Sequence, residues 1–228
     1  TMSQLAYIFT GLGAALWLAN NGYSEAAVLA MGAALFHLFN HAMAKGMLFM
    51  ASGSVIHEMH HAHHEVAHHG DGHDDDDFDA QSMENMGGLA SKMPIASTAM
   101  LVGSMSIIGI PFIGGFWSKE GIIANTWTVA MEEPIFILPA LLVLGGAGMT
   151  GFYMSRMWFM TFAGKPKSEV AAHVHEQTPW IPIPLVVLTF MSLSAIIFAG
   201  MHSTSWLGDY DHGHFMGFFE YIGEETTR

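Results

Sequence analysis

The chain has 228 residues, of which 51% are apolar and only 12% are charged, and its formal net charge is −13. A soluble domain carries about 25% charged residues, so this composition favours a membrane protein. The chain contains no cysteine, which excludes a disulfide scaffold and iron–sulfur ligation by its own residues. Seven Lys and Arg against twenty Asp and Glu provide no basic surface for a nucleic acid.

Five apolar segments long enough to cross a bilayer follow one another along the chain. They cover about residues 5–19, 26–56, 94–123, 135–162 and 183–201. Turn residues separate them, as at Asn20-Asn21-Gly22 and at Gly164-Lys165-Pro166. The sequence therefore predicts an all-α, multi-pass membrane protein with about five transmembrane helices. Residues 1–202 form the predicted membrane domain, and residues 203–228 form a tail outside the membrane or at its surface.

The basic residues of the connecting segments are unevenly distributed. Lys92, Lys165 and Lys167 fall on one side of the predicted membrane, whereas the opposite side holds only Arg228. Basic connections remain in the cytoplasm. The sequence therefore predicts a chain that starts on the cytoplasmic side of the membrane and ends on the opposite side.

The second span contains three ionisable side chains at i, i+4 spacing. His37, His41 and Lys45 fall on one helical face among Leu, Phe, Met and Ala. Ionisable groups at membrane depth are costly and usually functional. Histidine titrates near neutral pH and passes a proton between its two nitrogens, so the row is typical of a proton wire. The alternative is a pair of core histidines, with Lys45 extending to the interface.

The third span contains residues that interrupt a helix. Pro111 lacks a backbone donor, and the glycines around it permit non-helical dihedral angles, so the span is predicted to break there. Broken helices at membrane depth mark ion sites in transporters. Lys119 and Glu120 directly follow the break and are candidate site residues. A simple turn with Lys119 and Glu120 at the surface is an equally good interpretation of the residues alone.

Residues 57–85 are predicted to form a loop rich in histidine and aspartate. Eight histidines precede four consecutive aspartates at 74–77. The spacing fits no structural zinc motif, so a solvated acidic loop is the preferred interpretation. The alternative is a weak metal or proton-buffering site, for which the candidates are His60, His61, His63 and His64.

Several motifs, taken in order, resemble the antiporter-like subunits of respiratory complex I, and within that family the distal L subunit. They are SQLAY at 3–7, FHLFNHAMAK at 36–45, SGSVI at 52–56, MGGL at 86–89, GFWSKE at 115–120 and the stretch 152–166. The resemblance implies two inverted repeats of five helices, with this chain supplying most of the second repeat. It also implies that Lys45 is the central lysine, that His37 and His41 form its relay, and that Lys119 is the terminal lysine on the broken helix.

The resemblance also identifies parts of the family pattern that these residues lack. The first repeat, with its glutamate–lysine pair, and the lateral helix are absent from the sequence. We therefore expect a C-terminal part of the subunit, either as a fragment or as the product of a split gene. The expected partners are other membrane subunits, including the first repeat, and the lipid bilayer.

The implied function is proton translocation in a redox-driven NADH- or F420H2:quinone oxidoreductase. The chain would be a pumping subunit of that enzyme, with the electron chemistry in other subunits and no cofactor of its own. A subunit of a multi-subunit Na⁺/H⁺ antiporter or of a membrane-bound hydrogenase is the main alternative, since these share the same lysines. A metal-handling protein and a purely structural membrane subunit are the others.

Overall fold

A computed structural model describes residues 1–69, 78–111, 113–176 and 180–200 of the chain. Within these ranges every regular element is helical, which confirms the all-α prediction. The helices are α1 (Met2–Asn20), α2 (Ser24–His69), α3 (Pro94–Ile108), α4 (Gly114–Glu132), α5 (Ile137–Phe162), α6 (Glu169–His173) and α7 (Pro182–Gly200). The predicted tail at 203–228 and the aspartates at 74–77 lie outside the described residues.

The helices correspond closely to the predicted spans. Among the described residues, three apolar stretches are long enough to cross a membrane by themselves, namely Met2–Asn20, Ser24–Ala67 and Pro134–Phe162. The third predicted span is the broken pair α3 and α4, and the fifth contains the apolar stretch Pro182–Leu193. The interruption predicted around Pro111 is therefore confirmed, since α3 ends at Ile108 and α4 begins at Gly114.

Helix α2 differs from its prediction at its C-terminal end. It runs for 46 residues to His69, so the loop predicted from residue 57 is wrong for residues 57–69. The physical reason is that no Gly or Pro interrupts the helix between Gly53 and Gly70. At 1.5 Å per residue the helix is about 70 Å long, more than twice the roughly 30 Å hydrocarbon core of a bilayer. The helix is therefore longer than a single crossing of the bilayer requires.

The chain divides into two compact units, which are described separately. Among the described residues, the first comprises 1–43, 105–151 and 191–200, and the second comprises 44–104 and 152–190. The core of the first unit joins α1, the N-terminal part of α2, α4 and α5 through Tyr7, Ala33, Phe36, Ile122 and Val143. Small residues bring these helices close together, as is common in membrane proteins.

The second unit ties the start of α3 to the segment after α6. The Glu176 carboxylate accepts hydrogen bonds from the backbone N–H groups of Ile95 and Ala96, at 3.2 and 2.7 Å. These N–H groups belong to the first turn of α3, where a negative charge is favourable. Lys92 Nζ also donates to the Ala172 carbonyl oxygen. The cytoplasmic placement of these basic connections stays a prediction.

Candidate functional site

The break between α3 and α4 leaves a backbone carbonyl without its helical donor. In a continuous helix the Ile107 carbonyl oxygen would accept from the N–H of residue 111. Residue 111 is proline, which has no N–H, so this acceptor is available to a side chain. Gly109, with φ +88°, turns the chain at this point.

Lys119 occupies this acceptor. Its Nζ donates to the Ile107 carbonyl oxygen at 2.8 Å and lies 3.5 Å from the Ile108 carbonyl oxygen. The Tyr7 ring covers the ammonium group at 4.7 Å from the ring centroid, and Lys119 as a whole is only 3% exposed. Lys119 is therefore buried and does not lie at the surface, and its role as a site residue stays a prediction.

His37 is the second buried ionisable group of the first unit, with 2% exposure. Its Nδ1 lies 2.9 Å from Ser118 Oγ, and its Nε2 lies 3.1 Å from Gln4 Oε1. The Ser118 hydroxyl also lies within hydrogen-bond distance of the Gly115 carbonyl oxygen, at 3.1 Å. Because a hydroxyl has one proton, it can donate either to His37 or to Gly115. The arrangement can therefore accommodate His37 with or without a proton on Nδ1.

Close packing of α4 against the end of α3 sets this geometry. A Cβ atom at Gly115 would lie 1.8 Å from the Ser106 carbonyl oxygen, so only glycine fits. Asn40 Nδ2 donates to the Gly114 carbonyl oxygen at 3.0 Å and fixes the start of α4 against α2. Five polar residues line the small space between these groups. It is lined by Gln4, His37, Asn40, His41, Ser106, Ile107 and Gly115.

The predicted site residues are therefore only partly brought together. His37, His41 and Lys119 are buried in the first unit, with His41 at 8% exposure. Glu120, the neighbour of Lys119, is exposed in this chain. Lys45 lies one helical turn beyond His41 on α2, is half-buried and belongs to the second unit. Its Nζ lies 5.9 Å from the centroid of the Phe49 ring.

Four residues of the site were not predicted, namely Gln4, Tyr7, Asn40 and Ser118. Tyr7 contacts both ionisable groups, since its ring centroid lies 5.9 Å from that of His37 and 4.7 Å from Lys119 Nζ. Gln4 and Ser118 belong to the SQLAY and GFWSKE motifs. The available signal was a polar side chain inside an apolar span. Glu58 was also missed, and it lies buried in the second unit with 3% exposure.

The histidines suggested as weak metal ligands lie on the C-terminal part of α2. His60, His61 and His64 are exposed, whereas His63 is half-buried and stacks on Phe78 with ring centroids 4.5 Å apart. Among the described residues no group of three or more His, Cys, Asp or Glu side chains is arranged to hold a metal ion.

Known relatives share both the sequence and the fold of this chain. It is 37% identical over 201 residues to NAD(P)H-quinone oxidoreductase subunit 5 of the Chaetosphaeridium globosum chloroplast, covering 85% of this chain and 25% of the relative. It is 42% identical over 167 residues to NAD(P)H-quinone oxidoreductase chain 5 of Picosynechococcus, covering 72% and 20%. The chain thus spans a quarter or less of the length of these relatives.

Two solved structures share the fold at lower sequence identity. A chain of the Mrp complex from Dietzia superposes with a TM-score of 0.61 at 14% identity, covering 99% of this chain and 47% of that chain. A chain of the archaeal membrane-bound sulfane sulfur reductase, described as a respiratory membrane complex, gives a TM-score of 0.56 at 21% identity, covering 85% and 30%.

The family model for the transmembrane part of NADH:quinone oxidoreductase and Mrp antiporter subunits matches residues 1–150. That range contains α1 to α4, and therefore both the helix break and the buried lysine. The chain is a multi-pass membrane protein and belongs to the NADH:quinone oxidoreductase/Mrp antiporter family.

Proposed function

We propose that this chain is part of a proton-translocating membrane subunit in a redox-driven NAD(P)H:quinone oxidoreductase-type complex. The observation that carries the proposal is the buried amine of Lys119 at the helix break, beside a hydrogen-bonded and equally buried His37. Both groups can gain and lose a proton. Electron transfer takes place in other subunits under this proposal, and the chain holds no cofactor.

The surroundings of Lys119 support exchange of a proton rather than a fixed charge. Burial disfavours the ammonium form, whereas carbonyl oxygens and an aromatic ring favour it. Lys119 meets these opposing influences together, because it is 3% exposed and contacts the Ile107 carbonyl oxygen and the Tyr7 ring. Under the proposal, a change in the nearby charge loads or unloads the amine.

The proposed route runs along α2 before it reaches α4. Lys45, His41 and His37 are spaced one helical turn apart, with a rise of about 6 Å per step. His37 takes a proton on one ring nitrogen and releases one from the other. The Ser118 hydroxyl shifts its own hydrogen bond between His37 Nδ1 and the Gly115 carbonyl oxygen as this happens. Lys119 receives the proton and releases it on the outer side.

The proposal extends to the type of subunit, its membrane and its partners. The motifs favour the distal, L-type antiporter-like subunit, of which this chain would be the C-terminal part, in a prokaryotic plasma membrane. Its partners would be the first repeat, with a membrane-embedded Glu–Lys pair, and the adjacent membrane subunits. Glu120, which is exposed in this chain, is available to such a partner.

The test asks whether Lys119 needs only its positive charge or must also release a proton. The complex containing this chain is reconstituted in liposomes, and proton uptake is measured together with quinone reduction by NAD(P)H. Lys119→Ala and Lys119→Arg should both lose translocation, because arginine keeps the positive charge and does not release a proton. Lys165→Ala is the control, since Lys165 is an exposed lysine outside the membrane part.

Two results would overturn the proposal. The first is Lys119→Arg, or Lys119→Ala, pumping at the ratio of protons to electrons seen in the parent. The second is proton movement that is driven by a sodium gradient in the absence of any electron donor, which would identify an antiporter. If Lys165→Ala is also inactive, the loss of activity reflects poor assembly. The translocation rates of the Lys119 variants are then compared per amount of assembled complex.

A further inference from the structure

The C-terminal part of α2 presents a row of four exposed histidines. His57, His60, His61 and His64 line one shallow groove together with Gly53 and Ile56. Within the row the side chains pair at i, i+4 spacing. The rings of His57 and His61 have centroids 4.8 Å apart, and those of His60 and His64 are 4.7 Å apart.

This arrangement brings two imidazoles of each pair close enough to share one metal ion. Two histidines at i, i+4 on one helical face are a known way to bind zinc, and imidazole also suits copper and nickel. The side chains are preorganised by a continuous helix and are reachable from solvent. The acidic net charge of −13 raises the local concentration of cations near the chain.

We propose that the pairs His57/His61 and His60/His64 each bind a divalent first-row transition-metal ion, such as Zn²⁺ or Cu²⁺. Each pair supplies two nitrogen ligands, and water completes the coordination. Such sites are labile, in contrast to structural zinc sites with four protein ligands. This agrees with the finding that no described group of three or more ligands is arranged around one point. The proposal does not depend on the proposed proton translocation.

The sequence of this segment also matches a catalytic zinc motif, but the structure argues against a catalytic role. Residues 57–61 are HEMHH, which fits the H-E-x-x-H pattern of zinc peptidases. In those enzymes the glutamate acts as the general base for a metal-bound water. Here Glu58 lies on the buried face of α2 with Val55 and Met59, at 3% exposure. The geometry therefore supports metal binding at the exposed histidines without hydrolysis.

The experiment measures Zn²⁺ binding to the full chain in detergent micelles, purified with a tag that lacks histidine and then stripped with a chelator. Calorimetry with Zn²⁺ alone should give two sites per chain at pH 7.5. Replacing one histidine of a pair should weaken that site at least about tenfold, since loss of a mere supporting group already costs 10- to 100-fold. Cu²⁺ should bind more tightly than Zn²⁺.

Matched double variants locate the metal. His57→Ala/His61→Ala should remove one site, His60→Ala/His64→Ala should remove the other, and the quadruple variant should lose both. His173→Ala/His175→Ala is the control, with two exposed histidines outside α2 replaced, and it should keep both sites. Retention of both sites by the quadruple variant, or their loss in the control alone, would overturn the proposal. Circular dichroism confirms that each variant keeps its helices.

Discussion

Helix α2 carries histidines at the same i, i+4 spacing in two regions, and the surroundings of the two pairs are opposite. His37 and His41 are buried at 2% and 8% exposure, and His37 is held by side chains from α1 and α4. His57 and His61 are exposed and contact each other, with ring centroids 4.8 Å apart. The same residue type at the same spacing on the same helix therefore has two different surroundings.

The difference shows that the groups around a histidine pair, and not the spacing of the pair, determine what its imidazoles can do. A buried imidazole needs hydrogen-bond partners for both nitrogens, and at His37 these come from residues far away in the sequence, Gln4 and Ser118. An exposed imidazole is solvated without such partners, so its nitrogens remain available to a ligand. Proton transfer within the protein is expected of the first region, and reversible ligand binding is expected of the second.

The largest expected effect comes from disturbing the packing that holds the buried region. In Gly115→Ala the new Cβ would lie 1.8 Å from the Ser106 carbonyl oxygen. The clash is with the backbone, which cannot rotate away as a side chain can, so we expect a loss of about 3 kcal/mol of stability, at the upper end of what overpacking costs. The amount of assembled protein in membranes and the thermal unfolding midpoint in detergent should both fall strongly.

Gly145→Ala provides the matched control for this substitution. Gly145 also lies inside a membrane helix, and a Cβ added there would meet no atom within 4 Å. Alanine is favoured over glycine in a helix by up to about 1 kcal/mol, so this variant should be as stable as the parent or more stable. Equal losses in the two variants would show that close approach at Gly115 is not what matters.

Removing the imidazole of His37 should have the next largest effect, on transport. His37→Ala removes the group that contacts Ser118 and Gln4, and general acid–base groups contribute about 10²-fold or more to rates. We expect proton translocation to fall about a hundredfold. The measurement is the proton uptake rate at matched amounts of assembled complex. His61→Ala should retain the parent rate, and a comparable loss there would contradict the division between the two regions.

Much of the fold could be predicted from the sequence, because the controlling signals are local. The interruption of the third span follows from Pro111 and the adjacent glycines, which act on their own backbone. The common face of His37 and His41 follows from helical periodicity. In contrast, the helical state of residues 57–69 was mispredicted, because a histidine-rich composition suggests a loop although nothing in it breaks a helix.

The buried site was predictable only in part, because its geometry depends on contacts between distant residues. Gln4 contacts His37 from 33 positions away, and Ser118 does so from 81. The acceptor for Lys119 is the Ile107 carbonyl oxygen, which lacks its helical donor because residue 111 is proline. The sequence indicates the free acceptor, but only the fold shows that Lys119 is its donor. Polar residues in apolar spans indicate that partners exist, and only the fold shows which residues they are.

Ser118→Ala should have a smaller effect than the loss of His37. Ser118 is fully buried, and its loss leaves Nδ1 of His37 without this hydrogen bond, which costs about 1–3 kcal/mol. Thermal unfolding should therefore shift to lower temperature, and transport should slow without stopping. Thr128→Val on the same helix is the control, because the Thr128 hydroxyl is exposed and bonds only one turn back, to the Ala124 carbonyl oxygen. A larger shift in the control would contradict a special role for the Ser118 hydroxyl.

The smallest expected effect is on the stability of the metal-free chain when the exposed pair is replaced. His57→Ala/His61→Ala should change the free energy of unfolding by no more than about 0.5 kcal/mol, since both rings are solvated and surface substitutions rarely cost more. Added Zn²⁺ should then distinguish the parent from the variant by the midpoint of thermal unfolding. A ligand that binds only the folded state raises its stability in proportion to the logarithm of ligand concentration, so the parent midpoint should rise more than that of the variant. A loss of about 1–3 kcal/mol of unfolding free energy in the metal-free double variant would contradict this prediction, since that is the cost of broken buried hydrogen bonds. The row would then stabilise the fold, and the two regions of α2 would differ less than their exposure indicates.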